Sequence, residues 1–137
     1  MSAAELRVTY QPDDEWIGQL TAVVTSGAFS GEGSAWFTPS TVKETFVAAL
    51  NAYPLSASNP PVLKPGYETK CEFRIAVRPY DSVGTLLVEV DLASDVGLEQ
   101  SLTARFVTEY MALQDFASGL AAALDGGEPA VLIGRAT

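Results

Sequence analysis

The sequence predicts an α+β fold: a single, mostly antiparallel β-sheet of about six strands, with two α-helices packed on one face. Three observations predict it. Apolar and polar residues alternate with period two in several separate segments, and only two segments carry apolar residues at helical spacing. The strands also follow one another in runs instead of alternating with helices, which argues against a doubly wound α/β fold. The resulting order is β-β-β-α-β-β-β-α-β. A chain of 137 residues is close to the commonest domain size, so residues 1–137 are read as one domain.

In the first strand Leu6, Val8 and Tyr10 alternate with Glu5, Arg7 and Thr9. After the turn QPDDE, the run WIGQLTAVVTS sets Leu20, Ala22 and Val24 against Gln19, Thr21 and Thr25, a second half-buried strand. The stretch GAFSGEGSAWF, residues 27–37, reads as a third. It places Gly27, Phe29, Gly31, Gly33, Ala35 and Phe37 on one face, with Ala28, Ser30, Glu32, Ser34 and Trp36 on the other.

The first helix is expected to start near Pro39. Thr38 suits the N-cap and Pro39 the first helical position, with a capping box from Thr41 to Glu44 as the alternative. Val42, Phe46, Leu50 and Tyr53, joined by Ala49, share one face, and Pro54 stops the helix. The four prolines of PLSASNPPVLKPG mark a surface connection with a short edge strand at Val62 and Leu63.

In KCEFRIAVR, Cys71, Phe73, Ile75 and Val77 oppose Lys70, Glu72, Arg74 and Arg78, which makes Cys71 an inert core thiol. PYDSVG suits a hairpin. Leu86, Val88, Val90 and Leu92 then point inward with Thr85, Glu89 and Asp91 outward, and a turn at Asp95 to Gly97 leads to a strand with Leu102, Ala104 and Phe106 inward. The second helix spans about Glu109 to Leu124, with Tyr110, Leu113, Phe116, Ala117, Leu120 and Leu124 as its apolar stripe and the DGG at Asp125 as its stop. AVLIG is expected to pair at a sheet edge.

Composition restricts the chemistry. The chain has no histidine, which removes Ser-His-Asp and Cys-His nucleophile activation, histidine general base catalysis and most transition-metal sites. Its single cysteine rules out an internal disulfide framework. A net charge of −9 disfavours nucleic acid as a partner. No apolar stretch approaches membrane-spanning length and the N-terminus lacks a signal-peptide layout, so the expectation is a cytoplasmic protein without membrane contact. No cofactor is expected.

The glycine-rich stretch is not a nucleotide loop. Ser34 and Ala35 follow Gly33 where a Walker A loop needs Lys and Ser/Thr, and Trp36 stands where G-x-G-x-x-G needs its third glycine. Two readings stay open: a strand whose small residues admit close packing, or a groove lined by Gly31, Gly33, Trp36, Tyr53 and Tyr67. Asp13, Asp14 and Glu15 form an acidic turn without calcium-loop spacing, a solvated feature or a contact for a basic partner. Arg74, Arg78, Glu89, Asp91 and Arg105 fall on the polar sheet face, as cross-strand ion pairs or as a docking surface enlarged by Leu87 and Val107. Nothing marks any two carboxylates as an acid/base pair.

The succession of a Trp-bearing strand, a strand closing in WF, the helix ending AALNAYPL, the strands EFRIAVRP and GTLLVEV, and the final FVTEYMALQDFASGLAAAL resembles small bacterial proteins related to the immunity proteins of polymorphic toxin systems. That resemblance covers most of the chain in layout and implies a non-catalytic acidic domain that binds and blocks a cognate toxin. Sequence reasoning thus expects a non-enzymatic protein-binding domain with a protein partner, a basic toxin in the immunity reading. The alternatives are a small-molecule binder or unusual hydrolase using the groove beside strand 27–37, and a homodimer formed through the exposed sheet face or an edge strand.

Overall fold

The computed structural model describes residues 3–65, 73–93 and 100–136. The strands are β1 (Ala3–Pro12), β2 (Gly18–Ser26), β3 (Phe29–Phe37), β4 (Val62–Leu63), β5 (Phe73–Pro79), β6 (Thr85–Ala93), β7 (Ser101–Glu109) and β8 (Ala130–Arg135). Two helical segments complete the α+β fold. The first, α1, runs through Pro39–Val42, a π-helical turn at Lys43–Val47, and Ala48–Leu50; α2 is Tyr110–Leu124. Tyr67, Lys70, Cys71 and Glu72 and the turn at Asp95 to Gly97 lie outside the described residues.

Among the described residues all eight strands belong to one antiparallel sheet in the order β3-β2-β1-β8-β7-β6-β5-β4, more than the about six expected. Each of the eight corresponds to a segment read as extended from the sequence, the two-residue edge strand at Val62–Leu63 and the six-residue β8 included; the difference lies in the total, because both short strands join the single sheet. β8 is also not at an edge. It pairs with β1 from Ala3↔Arg135 to Val8↔Ala130 and so lies in the middle of the sheet.

The sheet consists of two halves that meet at β8. β1, β2 and β3 form a meander, paired from Pro12↔Gly18 to Ala4↔Ser26 and from Gly18↔Phe37 to Ser26↔Phe29. β5, β6 and β7 form a second meander, with β4 on its outer edge. Between them, among the described residues, β7 and β8 pair at Val107↔Arg135. Side chains provide links around this short ladder: Thr108 Oγ1 donates to the Ile133 carbonyl at 2.7 Å, and Ser26 Oγ, from β2, donates to the Arg105 carbonyl at 2.8 Å. Both hydroxyls belong to buried residues, where an unpaired carbonyl would be costly.

Alternation places Leu6, Val8, Leu20, Ala22 and Val24 of one half in the same core as Phe73, Ile75, Val77, Val88, Val90 and Phe106 of the other. The halves also pack against each other through β3. A methyl group at Gly33 would lie 2.9 Å from Leu92 Cδ2, and one at Gly31 would overlap Leu102 Cδ2. Phe37 and Phe73 meet edge to face at 5.4 Å. The glycine-bearing face of β3 is therefore filled by leucines of β6 and β7.

The helices give their apolar stripes to the same core, α1 through Val42, Phe46, Val47 and Leu50, and α2 through Leu113, Phe116, Ala117 and Leu120. α2 packs mainly on β8, with further contacts to β1, β7 and α1. Its start and end match the apolar spacing closely. α1 begins where expected, with Thr38 at the N-cap and Pro39 in the first turn, and departs from expectation at its end. Thr38 occupies the N-cap without a side-chain cap bond, and the helix stops at Leu50, where Asn51 Nδ2 donates to the Val47 carbonyl at 3.1 Å. Tyr53 thus falls beyond the helix instead of on its buried face. It is 74% exposed and packs edge to face on Tyr110 at 4.7 Å. No helix among the described residues is long and apolar enough to cross a membrane.

Gly33→Val is expected to destabilise the fold by about 1–3 kcal/mol through overpacking against Leu92. Denaturant titration checks this, and Leu92→Ala in the Gly33→Val background should recover part of the loss. A loss that simply adds to that of Leu92→Ala alone would mean that the two positions do not pack together.

Candidate functional site

The polar side chains of β5, β6 and β7 meet on the outer face of their sheet half because successive residues alternate across the pleat. Register places Arg74 opposite Asp91, Asp91 opposite Thr103, and Glu89 opposite Arg105. Arg74 Nη1 lies 3.3 Å from Asp91 Oδ2, while Thr103 Oγ1 donates to Asp91 Oδ1 at 2.6 Å. Glu89 takes two partners: Arg105 Nε at 2.7 Å on Oε2 and Arg78 Nη1 at 3.1 Å on Oε1. The glutamate is 9% exposed, enclosed by the two arginines, whereas the arginine side chains are about half exposed. Ala76, Leu87 and Val107 are buried on this same face. All five charged residues expected on the polar sheet face are therefore paired there, in two neighbouring cross-strand groups of one ladder.

The acidic turn lies elsewhere, between β1 and β2 in the other half of the sheet. Asp14 Oδ1 accepts from the Trp16 and Ile17 backbone N–H groups at 2.7 and 2.9 Å, an Asx-type arrangement that shapes the turn. Asp13 and Glu15 are exposed beside it, and Trp16 projects with 69% of its surface exposed. Tyr10, half-buried at the end of β1, has its phenol pKa raised above 10.0 by burial and secondarily by the Asp14 carboxylate. The turn and the ladder are thus two separate sites.

The residues expected to line a groove are not brought together. Gly31 and Gly33 are covered by Leu102 and Leu92 and form no groove floor. Trp36 instead lines a cleft of about 250 Å³ with Ile17, Thr38, Thr41, Val62 and Lys64, between the end of β3, the start of α1 and β4. Tyr53 stands apart against Tyr110, and Tyr67 is outside the described residues. The reason is parity: Trp36 is on the opposite face of β3 from the glycines.

Charges are distributed unevenly over the whole chain. Among the described residues Arg7 pairs with Glu5, Lys43 with Asp125, Arg74 with Asp91, Arg78 and Arg105 with Glu89, and Arg135 with Glu109, which leaves Lys64 as the one cation outside an ion pair. Asp13, Asp14, Glu15, Glu32, Glu44, Asp81, Asp115 and Glu128 have no cationic partner and are all exposed. No three His, Cys, Asp or Glu side chains among the described residues are grouped so as to hold a metal ion.

Two side-chain arrangements add to what the sequence suggests. Tyr110 Oη accepts from the Leu55 N–H at 3.0 Å and so ties the proline-rich connection to the start of α2. Asp81 Oδ1 accepts from the Val83 and Thr85 N–H groups at 2.9 and 3.0 Å in the β5–β6 turn, where Gly84 has φ +95°. An Asp followed by Gly three residues on was the available signal for that turn. These backbone bonds, that of Val83 foremost, lower the Asp81 pKa from its ordinary 3.8. No protein-family model, curated protein or solved structure matches the chain.

Glu89→Ala should cost about 1–3 kcal/mol, because it removes a nearly buried acceptor and leaves two guanidinium groups facing each other. Arg78→Gln should cost less than about 1 kcal/mol, because Arg105 still serves the carboxylate. Urea titrations of the two variants measure the difference. The lowered pKa of Asp81 means that its contribution is fully present above pH 3.8 and is lost as the pH falls through the lower folded value. The stability gap between the wild type and Asp81→Asn should therefore be constant near neutral pH and close in acid below pH 3.8, as followed by urea denaturation at each pH.

Proposed function

We propose that this chain is a non-catalytic protein-binding domain, an immunity-type inhibitor whose anionic surface meets a basic bacterial toxin. One observation carries the reading: nearly every described cation is engaged within the chain, while a set of exposed carboxylates has no cationic partner. The surface offered to a partner therefore expresses much of the −9 net charge. Such a surface steers a basic protein into encounter and repels acidic competitors. The exposed indole of Trp16, beside Asp13 and Glu15, supplies the large amphipathic contact typical of interface hot spots. The absence of histidine and the layout-level resemblance to immunity proteins support a blocking role over a catalytic one.

A second reading, small-molecule binding, has a specific observation in its favour. The cleft beside Trp36 combines an indole, the Ile17 and Val62 side chains, threonines and the unpaired Lys64. It shares only Trp36 with the groove expected from the sequence.

The test is co-expression with the product of the neighbouring gene. A complex should form at about 50 mM salt, and its association rate should fall by about tenfold or more by 500 mM. Charge reversal at Asp13 and Glu15, which leaves the turn-forming Asp14 in place, should weaken it. Failure to form a complex at either low or moderate salt removes the proposal's main support.

A further inference from the structure

We infer that the outer face of β5, β6 and β7, extended by the end of β8, binds an acidic peptide segment. This goes beyond the toxin-blocking reading and uses a different surface. Arg74, Arg78, Arg105 and Arg135 account for half of the eight basic residues in a chain of net charge −9. The Val107↔Arg135 pair places Arg135 in the same row as Arg78, Leu87 and Val107. Described carboxylates engaged by these arginines are Glu89, Asp91 and Glu109, so four guanidinium groups meet three acids. The excess arises at Glu89, which both Arg78 and Arg105 contact.

That sharing leaves donors available. Arg105 reaches Glu89 through Nε and Arg78 through one terminal nitrogen. Each guanidinium carries five N–H donors, and the rest of each fork is on a half-exposed side chain. The face thus presents fixed forks matched to carboxylate geometry, above a floor of Leu87 and Val107. A short acidic segment fits the local excess of positive charge. A nucleic acid strand, charged along its whole length, would extend into the surrounding anionic surface.

The remaining charge dictates an unusual salt dependence. At about 10 mM salt the screening length is about 30 Å, so the ligand feels the repulsion of the whole molecule; at about 0.1 M it is about 10 Å and local attraction prevails; at 1 M it is about 3 Å and the local pairs are screened as well. Affinity should therefore peak at intermediate salt.

Fluorescence anisotropy with a dye-labelled hexaglutamate peptide tests this, with hexalysine and a six-nucleotide thymidine strand as comparators. The expected result is saturable hexaglutamate binding that is strongest near 0.1 M salt. Arg78→Gln and Arg105→Gln should each weaken it roughly two- to fivefold, and the double variant further. Each single variant keeps one arginine on Glu89, and thermal melts verify that it stays folded. Arg7→Gln, in the other half of the sheet, should have no effect. No saturable binding, equal weakening by Arg7→Gln, affinity that only rises toward low salt, or thymidine binding as tight as hexaglutamate would each overturn the inference. Because no toxin is involved, its failure would leave the co-expression result untouched, and the reverse also holds.

Discussion

The packing of the two halves of one open sheet around a common core is the constraint on which the rest of the molecule depends. Two antiparallel meanders share a single core, and one of the places where they come together is the face of β3 that carries glycines. Gly31 and Gly33 leave room that Leu102 and Leu92 occupy, so the interior is continuous from β3 to β7. The hydroxyls of Ser26 and Thr108 bond to carbonyls near the point where β7 and β8 meet, adding links between the halves. With the inward faces closed in this way, the outward faces are left to carry the polar and charged residues.

Those outward faces differ in character. On β5 to β7 the arginines and acids are interlocked across strands, and the twofold engagement of Glu89 makes the ladder locally rich in guanidinium. Elsewhere carboxylates at turns and on helix surfaces stand without cationic partners. The molecule is therefore electrically divided, and its net charge does not describe any one patch. Two proposals follow from that division, one for the anionic surface and one for the arginine face, and they call for partners of opposite charge.

Much of this architecture was legible in the sequence where alternation is long. The inward sets of β1, β2, β5, β6 and β7 were readable because five or more residues repeat with period two, and α2 because its stripe spans four turns. β8 was misplaced for a reason local patterns cannot overcome: AVLIG looks the same at an edge or in the centre, and its position depends on pairing with Ala3 to Val8 at the far end of the chain. Tyr53 illustrates a different failure. Its spacing from Leu50 continues the helical stripe, but Asn51 turns its side chain back onto the Val47 carbonyl and the helix ends. The charged ladder was visible residue by residue from strand parity, yet the sharing of Glu89 by two arginines depends on inter-strand register and on rotamers. The glycine face was recognised as a choice between packing and a groove, and the leucines that fill it come from strands about 60 residues or more downstream.

The central position of β8 also sets an order of events during synthesis. A chain made from its N-terminus has β1 to β3 available early, but β1 lacks one of its two neighbours until residues 130–135 have been made. Until then the edge of β1 offers unpaired backbone groups over most of its length, and the two meanders have no common strand. The pair Ala3↔Arg135 is far apart in sequence, so assembly of the complete sheet must follow translation of β8. A nascent chain stalled before β8 would leave that strand edge open to other nascent chains, which makes residues 130–135 the stretch whose arrival protects β1.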